Sequence, residues 1–508
     1  MVKVEHEQRP EVLRQVATLL GQENDRLVRE NARLRAEVAR LRGDAPGGVQ
    51  QELEILKELL DRREQELFGR SSEKQPVAAP ESTPESAPAR PPRRGHGPTP
   101  QPRLPHLETR VELPETARGC PACGGQLAEM VGQTEDTEEI TVIERQYVLR
   151  TMQRQKYRCR CNGAVVTAPA PEAPRLIPGG RYSTDFATHV AIAKYADHLP
   201  LDRQVQMMAR AGLEVTTSML WDQIEALAKV LKPCHEAIAS RVLAAPVIGC
   251  DESRWRLLDG GAPRWHVWCL ASPEAVTYRV LEGRSKEEAA RLLGGYAGEV
   301  MADGYSVYAS LARGAPWRLA HCWAHARRKF VEAQPHAPEA ATFAIDRIRE
   351  LYAIEAEVPV LAWGASAEEQ ASGLELRRRL RDARSRPIVA ALRDWGYAIK
   401  PTLLPKSGIG LAVDYMLGLW PGLTRFLDDP RIPIDNNATE RALRSPVVGR
   451  KNHYGSRSVR GTEVAALFYT LIESAELLGV NPQAYLQHAT RAALLVPGTA
   501  TLPSDLLG

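Results

Sequence analysis

Residues 246–258 read PVIGCDESRWRLL, and this stretch decides the interpretation of the fold. It opens with β-branched and apolar residues and turns polar at Asp251, a pattern typical of a strand that starts in a core. Two more strand-like runs follow, RWHVWCLAS at 264–272 and AVTYRVLEG at 275–283, and the turn-forming residues DGGAP join the first two runs. Together the three runs predict a meander of strands.

Beyond the meander the pattern alternates between helix and strand. A helical run (KEEAARLLGG, 286–295), a strand (GEVMADG, 298–304), a second helix (SVYASLAR, 306–313) and a strand (WRLAHCW, 317–323) come in turn. A meander followed by alternating helices and strands is the order of the ribonuclease H-like fold. Residues 331–430 are mostly polar and helical in pattern, so the predicted class is multidomain α/β, a ribonuclease H-like core with a helical insertion.

Three carboxylates stand in places where this fold can gather them. Asp251 lies on the first strand, and Asp303 lies where a later strand ends before Gly304. Glu440 lies in IDNNATERALR, where Asn437 or Thr439 can cap a helix. Each acid alone is more often a solvated or capping carboxylate, but three in this order are specific. Two hard cations such as Mg²⁺ need such a set of oxygen ligands to clamp the entering and leaving oxygens of a phosphodiester.

Other groups near these carboxylates compete for a role. Glu252 is the nearest substitute for Asp251, but it should point to the opposite face of the strand. His321, Cys322 and His325 form a second possible ligand group. We expect Cys322 to face the core and the two histidines to pack or hydrogen-bond near the site.

A basic segment follows Glu440. It includes GRKNHYGSRSVRG at 449–461, in which cations alternate with glycine and small polar residues. Such a loop can approach a phosphate backbone and bind it without regard to sequence. The predicted DNA-binding residues are Arg441, Arg444, Arg450, Lys451, Arg457 and Arg460.

The chain resembles the insertion sequence 66 family of DDE transposases along nearly its whole length. The blocks that carry the resemblance are DESRW, ADGYSVY, HCWAHARRKF, DNNATERALR, GRKNHYGS and AALFYTLIESAELLGVNPQAYL, with LFGRSSEK (67–74) and KYADHLPLDRQ (194–204) nearer the N-terminus. The resemblance implies that Asp251, Asp303 and Glu440 are a catalytic triad that binds two Mg²⁺ or Mn²⁺ ions. It also implies cleavage and transfer of DNA strands at the ends of a mobile element.

The same resemblance implies an order of domains. They are a coiled-coil region (1–74), a disordered linker (75–105), a zinc-binding domain (106–172), a helix-turn-helix (176–235), the first part of the catalytic core (240–330), the insertion (331–430), the last part of the core (431–480) and a C-terminal segment (481–508). The zinc domain includes the strand-like run ITVIERQYVLR. The expected structural zinc ligands are Cys120, Cys123, Cys159 and Cys161, although the last two are closer in sequence than is usual and a metal-free β-domain is the alternative.

Two N-terminal patterns indicate partners. Leucine recurs every seven residues, with Asn at two of the intervening a positions, as in a parallel two-stranded coiled coil: Leu13, Leu20, Leu27, Leu34 and Leu41. A homodimer is therefore expected, with an amphipathic helix packed on its own chain as the alternative. Residues 183–232 read as three helices with Gly212 in a turn and Thr216 or Thr217 as a cap, typical of a helix-turn-helix, although any helical bundle can show this pattern.

Composition sets few limits. The 508 residues exceed one domain, and the net charge of +3 does not by itself indicate nucleic acid. The sequence has no apolar run long enough for a membrane span and no secretory signal at its N-terminus, so a cytoplasmic, nucleoid-associated protein with reduced thiols is expected.

Two other functions compete with a DNA transposase. One is a non-catalytic DNA-binding regulator derived from a transposase, which would need none of the three carboxylates. The other is a ribonuclease H-like nuclease that cleaves without joining. The partners expected for a transposase are element ends and target DNA, and the sequence leaves open whether companion proteins of the element take part.

Overall fold

The computed structural model describes residues 147–151, 153–158, 165–168, 175–258, 264–359 and 366–507, together with Arg26, Lys57 and Ala122. The predicted linker and the four predicted zinc ligands (Cys120, Cys123, Cys159 and Cys161) lie outside the described residues, as does the predicted coiled coil apart from Arg26 and Lys57. The homodimer and the zinc site therefore stay predictions.

A two-stranded ribbon is the first regular structure described. Strands β1 (Lys156–Arg158) and β2 (Val165–Thr167) pair antiparallel. Residues 147–150 have no regular structure, so the strand predicted from ITVIERQYVLR does not extend over its last four positions. Tyr147 packs by an edge contact on Phe186, at a ring separation of 6.2 Å.

Three helices follow at the predicted positions, α1 (Thr184–Tyr195), α2 (Leu201–Arg210) and α3 (Thr217–Leu243). Gly212 adopts φ +78° in the turn before α3, a conformation that favours glycine. Of the two possible caps, Thr216 is the one used, because its hydroxyl accepts from the amide of Met219 at 3.3 Å. That α2 and α3 act as a helix-turn-helix on DNA stays a prediction.

A mixed five-stranded sheet forms the centre. Its strands are β3 (Val247–Arg254), β4 (His266–Ala271), β5 (Val276–Leu281), β6 (Glu299–Ala302) and β7 (Arg318–His321). They lie in the order β5-β4-β3-β6-β7, with β3, β4 and β5 antiparallel and β6 and β7 parallel to β3. Helix α4 (Lys286–Leu293) connects β5 to β6, and helix α5 (Ser306–Ala312) connects β6 to β7. The predicted meander and the alternation after it are confirmed.

Helices cover both faces of the sheet. The insertion and the C-terminal region contain α6 (Trp323–Ala333), α7 (Pro338–Glu355), α8 (Ala367–Leu380), α9 (Arg386–Ile399), α10 (Gly408–Gly418), α11 (Trp420–Leu423), α12 (Asn437–Ala442), α13 (Arg444–His453), α14 (Val459–Leu477) and α15 (Pro482–Leu495), with a π-helical turn at Arg381–Ser385 and 3₁₀ turns at Lys400–Thr402, Arg425–Leu427 and Pro503–Leu506. The described residues of 331–430 are helical, as their pattern predicted, and that this region is an insertion in a ribonuclease H-like core stays a prediction.

Two apolar clusters divide the core between the faces. Val247 and Met301 belong with the insertion helices, whereas their strand neighbours Ile248 and Val300 belong with α3 and α14. This division follows from the alternation of side chains along each strand. The face that bears Val247 also bears Asp251, so the insertion helices flank that carboxylate.

Helix α14 covers the outer edge of β5. The amides of Val276 and Tyr278 donate to the hydroxyl oxygens of Ser474 at 3.1 Å and Thr470 at 2.9 Å. An open strand edge would otherwise leave these buried amides unpaired. Helix α14 is therefore bonded to the sheet as well as packed on it.

The end of the insertion is held by a buried arginine. Arg381 is 1% exposed, forms two bonds to the Glu355 carboxylate at 2.7 and 2.8 Å, and donates to the carbonyl oxygens of Phe426 and Ile432. The carbonyls lie on the segment that leads to Glu440. Within the described part of the chain, no helix combines the length and the apolar character that crossing a membrane requires.

Candidate active site

The sheet brings Asp251 and Asp303 side by side. Strands β3 and β6 pair in parallel, and the last pair in the register is Gly249 with Met301. Asp251 on β3 and Asp303, directly after β6, each lie two residues beyond that pair, so the two carboxylates come from neighbouring segments of the sheet. The backbones of paired strands are about 4.8 Å apart, which lets the two carboxylates share a ligand.

Asp303 is fixed by the turn that follows β6. Its Oδ1 accepts a hydrogen bond from the amide of Tyr305 at 2.9 Å. The ring of Tyr415, from α10 of the insertion, lies against Gly304, where a Cβ atom would meet the tyrosine hydroxyl at 2.5 Å. Burial raises the pKa of Tyr415 to about 12, and the nearby negative charge of Asp303 adds to the shift.

Glu440 reaches the same face on α12. Both Thr439 and Asn436 contact the backbone of β3 at Gly249, on the face that also bears Asp251. The side-chain amide of Asn436 donates to the carbonyl oxygen of Cys250 at 3.1 Å. Helix α12 is thereby fastened to β3 next to Asp251.

The cap of α12 differs from the prediction. Asn437 is the first residue of the helix, and the cap position belongs to Asn436, whose side chain bonds β3 instead of the helix amides. Asp435 takes the capping role, because its Oδ1 accepts from the amide of Asn437 at 3.0 Å. Asn437 and Thr439 are therefore wrong as caps, since contacts with distant β3 outweigh the local preference.

Asp251 is affected by the charges of the other two predicted carboxylates. The pKa of Asp251 is raised from 3.8 to about 7. Burial is the largest cause, and the negative charges of Glu252, Asp303 and Glu440 add to it, against a hydrogen bond from the Glu252 amide. Asp251 thus lies close enough to Asp303 and Glu440 for their negative charges to oppose its ionisation. A divalent cation would reverse that effect.

His325 lies beside Glu440, a proximity that the sequence did not indicate. The Nδ1 atom of His325 is 3.7 Å from Oε1 of Glu440, and neither atom has a hydrogen-bond partner within the described residues. The position of His325 in the first turn of α6, directly after β7, was the sequence feature that could have indicated this proximity.

Cys322 completes a possible ligand cluster. Its sulfur and ligand atoms of His325 and Glu440 lie within 4.8 Å of one another. Burial, however, raises the pKa of the Cys322 thiol to about 11, and the sulfur accepts a hydrogen bond from the amide of Asn436 at 3.3 Å. A thiol held protonated and 2% exposed supports the backbone of α12 and is a poor metal ligand. The prediction that Cys322 faces the core is confirmed.

The remaining neighbours have other partners. Glu252, with a side chain 6% exposed, accepts from the Tyr308 hydroxyl at 2.6 Å and pairs with Arg284 at 3.2 Å. It lies on the opposite face of β3, as predicted. His321 lies 3.2 Å, through Nδ1, from the backbone oxygen of Asp303, so it supports the turn after β6.

The six predicted DNA-binding cations differ in their surroundings. Arg460 pairs with Glu225 at 3.3 Å and with Glu463 at 2.9 Å. Arg450 donates to the Arg254 carbonyl oxygen and to the Ser253 hydroxyl oxygen, so it fastens α13 to the end of β3. The other four have exposed side chains, and these are Arg441, Arg444, Lys451 and Arg457.

Comparison with known proteins gives a consistent set of matches. The family model described as "Transposase IS66 family" matches residues 179–464. Three proteins of Sinorhizobium fredii (strain NBRC 101917 / NGR234), named only as uncharacterized, are similar. "Uncharacterized protein y4jD" is 34% identical over 78% of this chain and 78% of its own length. "Uncharacterized protein y4hP" is 30% identical over 74% and 70%, and "Uncharacterized protein y4qI" is 33% identical over 76% and 73%. No solved structure matches the chain significantly.

Proposed function

Since the chain belongs to the IS66 family of transposases, we propose that it cuts DNA at the ends of a mobile element and joins the freed ends to target DNA, with Asp251, Asp303 and Glu440 as the catalytic residues. The single observation that carries the proposal is the closeness of Asp303, at the end of β6, and Glu440, on α12, to Asp251 on β3, whose pKa their negative charges help to raise.

The sheet order supports a ribonuclease H-like catalytic core. Three antiparallel strands with two parallel strands added beside the first give the order β5-β4-β3-β6-β7. In this arrangement β3 and β6 run in the same direction, so their carboxyl ends point to the same end of the sheet, towards which Asp251 and Asp303 lie. The third acid comes from a helix that crosses the same face.

The donor set fits two Mg²⁺ or Mn²⁺ ions. All three proposed ligands are carboxylates, the donors that hard cations prefer, and Oε1 of Glu440 is buried without a hydrogen-bond partner among the described residues. When bound, such ions would make water or a DNA hydroxyl a stronger nucleophile and would stabilise charge on the leaving oxygen. The zinc site proposed at Cys120, Cys123, Cys159 and Cys161 would be structural.

Two successive displacements at phosphorus account for the products. In the first, water attacks at the element end, the bond from phosphorus to the 3′ oxygen breaks, and a 3′-hydroxyl and a 5′-phosphate result. In the second, that 3′-hydroxyl attacks a target phosphodiester, which forms one new phosphodiester and releases one target 3′-hydroxyl. The bond count is unchanged in the second step, so it needs no energy source.

The residues around the triad would orient it. Asn436 and Cys322 hold the start of α12, and the Tyr305 amide holds one oxygen of Asp303, so the carboxylates are placed before DNA arrives. The exposed cations of 441–462 would bind the phosphate backbone beside them. The helices α2 and α3 are proposed to read the element ends, and a coiled coil would pair two chains.

The test is strand cleavage and joining by the full chain on DNA that carries the sequences flanking its gene, with Mg²⁺. We expect joined products from the wild type and a loss of at least about a hundredfold in Asp251→Asn, Asp303→Asn and Glu440→Gln, because each removes a ligand charge. Glu463→Gln is the matched control, since Glu463 is exposed and pairs with Arg460 at the surface.

Other outcomes identify the competing functions. Undiminished joining in Asp251→Asn or Glu440→Gln would overturn the triad. Cleavage without joined products would indicate a nuclease, and specific DNA binding with neither reaction would indicate a regulator.

A further inference from the structure

Tyr454 has an unusual backbone conformation at the end of α13. Its φ is +61° and ψ is +13°, the left-handed region in which glycine or asparagine is usual at a helix end. A bulky residue there costs roughly 1–2 kcal/mol. The ring does not recover that cost by packing, because the residue is 65% exposed. Strained residues of this kind occur most often where a function requires the side chain in one place.

The segment around Tyr454 is fastened to the strand that bears Asp251 on both sides. Before it, Arg450 bonds to Ser253 and to the backbone of Arg254. After it, the amide of Ser456 donates to the Arg256 carbonyl oxygen at 2.9 Å. Ser253 is two residues from Asp251 on β3, so the segment that carries the exposed ring is bonded to the strand of the proposed cutting site and to the residues directly after it.

The surroundings of the ring suit nucleic acid. Residues 441–462 contain no aspartate or glutamate. The cations Arg444 and Lys451 on α13 are exposed, and so are two apolar side chains of the segment, Val448 at 44% and Val459 at 51%. Cations alone would serve a phosphate backbone. Cations with an exposed ring and apolar neighbours match the surfaces that bind unpaired bases, where each base stacks on an aromatic side chain.

We propose that Tyr454 is the stacking site for an unpaired nucleobase of the DNA strand end at the triad. This inference rests on the proposed function and names a contact that cutting and joining would use. A phosphodiester at the end of a duplex can enter a recessed carboxylate pocket more easily when the neighbouring base leaves its partner. Unstacking a base costs a few kcal/mol, and stacking on Tyr454 would offset part of that cost.

The test measures binding without chemistry, using the full chain in Ca²⁺. The probes are a short duplex with a single-stranded overhang that contains the fluorescent base 2-aminopurine, and a fully paired duplex of the same length. We expect the wild type and Tyr454→Phe to quench the probe on binding. Tyr454→Asn should not quench it and should bind the overhang DNA about 5- to 150-fold more weakly, with the paired duplex bound equally.

The choice of variants separates the ring from the fold. Asparagine tolerates the left-handed conformation, so Tyr454→Asn should melt no lower than the wild type. Tyr397 is 59% exposed on α9, and Tyr397→Asn controls for loss of a surface ring elsewhere. Full quenching and unchanged affinity in Tyr454→Asn would overturn the stacking site, and equal losses on both DNAs would assign Tyr454 to backbone binding instead. Because the assay needs no catalysis, these results are independent of whether the protein joins DNA.

Discussion

Thr439 of α12 lies directly against Gly249 of β3, so close that a Cβ atom on Gly249 would overlap the threonine hydroxyl. The two residues are far apart in sequence, but their contact sets the distance between the helix that bears Glu440 and the strand that bears Asp251. A glycine in the middle of a strand normally weakens it, and here it permits this close approach.

Gly249→Ala should therefore impair activity more than folding. The added methyl group pushes α12 off β3, at a cost of about 1–3 kcal/mol in stability, as for other overpacked cores. Strand joining should fall at least about tenfold, because small displacements of catalytic groups have large effects on rate. Gly283→Ala is the control, since a Cβ atom there would lie 3.9 Å from the amide nitrogen of Ser285, an ordinary van der Waals contact. Equal joining by Gly249→Ala and wild type would contradict this role.

His325→Ala should weaken metal binding at the proposed triad. The ring nitrogen 3.7 Å from the Glu440 carboxylate can orient that ligand, and loss of such supporting groups typically lowers metal affinity about 10- to 100-fold. Titration of the full chain with Mn²⁺, followed by calorimetry, measures the change. His488→Ala, at an exposed position on α15, serves as the comparison. If both variants bind Mn²⁺ as the wild type does, His325 has no such role.

Glu473 should make the protein less stable as the pH rises towards neutrality. Burial raises its pKa from 4.5 to about 7 in the folded chain. Between those values the folded carboxyl is protonated and the unfolded one is ionised, so unfolding releases a proton. Stability then falls with rising pH, by about 1.4 kcal/mol for each pH unit from this group. Denaturant midpoints of wild type and Glu473→Gln across this range measure the effect, and the variant should lack this part of the slope. Parallel curves would show that Glu473 titrates normally.

Arg381→Met should strongly destabilise the insertion. It leaves the Glu355 carboxylate, 14% exposed, with only the longer contact to Arg377 at 3.5 Å. Removing one partner of a buried ion pair typically costs about 3–5 kcal/mol. Arg384→Met removes the exposed pair with Glu357 on the same helical turn and should cost less than about 1 kcal/mol. Thermal melting of both variants provides the measurement, and similar melting temperatures would show that burial of Arg381 adds nothing.

The salt dependence of DNA binding should distinguish the cations of the basic segment. Arg444→Gln and Lys451→Gln each remove an exposed charge, so each should lower the slope of log affinity against log salt by about one. Arg460→Gln should leave that slope nearly unchanged, because Arg460 already pairs with Glu225 and Glu463. Binding isotherms at several salt concentrations measure this slope for each variant. A full unit lost in Arg460→Gln would mean that DNA displaces those acids.

Local pattern was enough to predict the sheet and two of the three carboxylates. The apolar runs before Asp251 and Asp303 mark strands, and the order of elements makes those strands neighbours. Residues 147–150 were expected to form a strand and have no regular structure. Tyr147 packs on Phe186 of α1, a contact between separate segments that the alternation of residues does not reveal.

Contacts between distant segments account for what the sequence did not reveal. The sequence IDNNATER contains several residues that could cap α12. Asn436 occupies the cap position, where its side-chain amide donates to a carbonyl oxygen of β3 and its backbone amide donates to the sulfur of Cys322. Similarly, nothing near Tyr415 indicates that its ring lies over Gly304. The pairing of Arg460 depends on an acid far away in sequence, Glu225 on α3.

The anchoring of the segment before Glu440 by Arg381 has a consequence during synthesis. A growing polypeptide emerges from the ribosome with Asp251 and Asp303 before Glu440, and the segment that leads to Glu440 is held through the carbonyl oxygens of Phe426 and Ile432, which accept from Arg381. An unfinished chain, or one cut short by a premature stop codon within residues 331–430, would therefore hold two of the three acids and lack the third acid of the proposed catalytic centre.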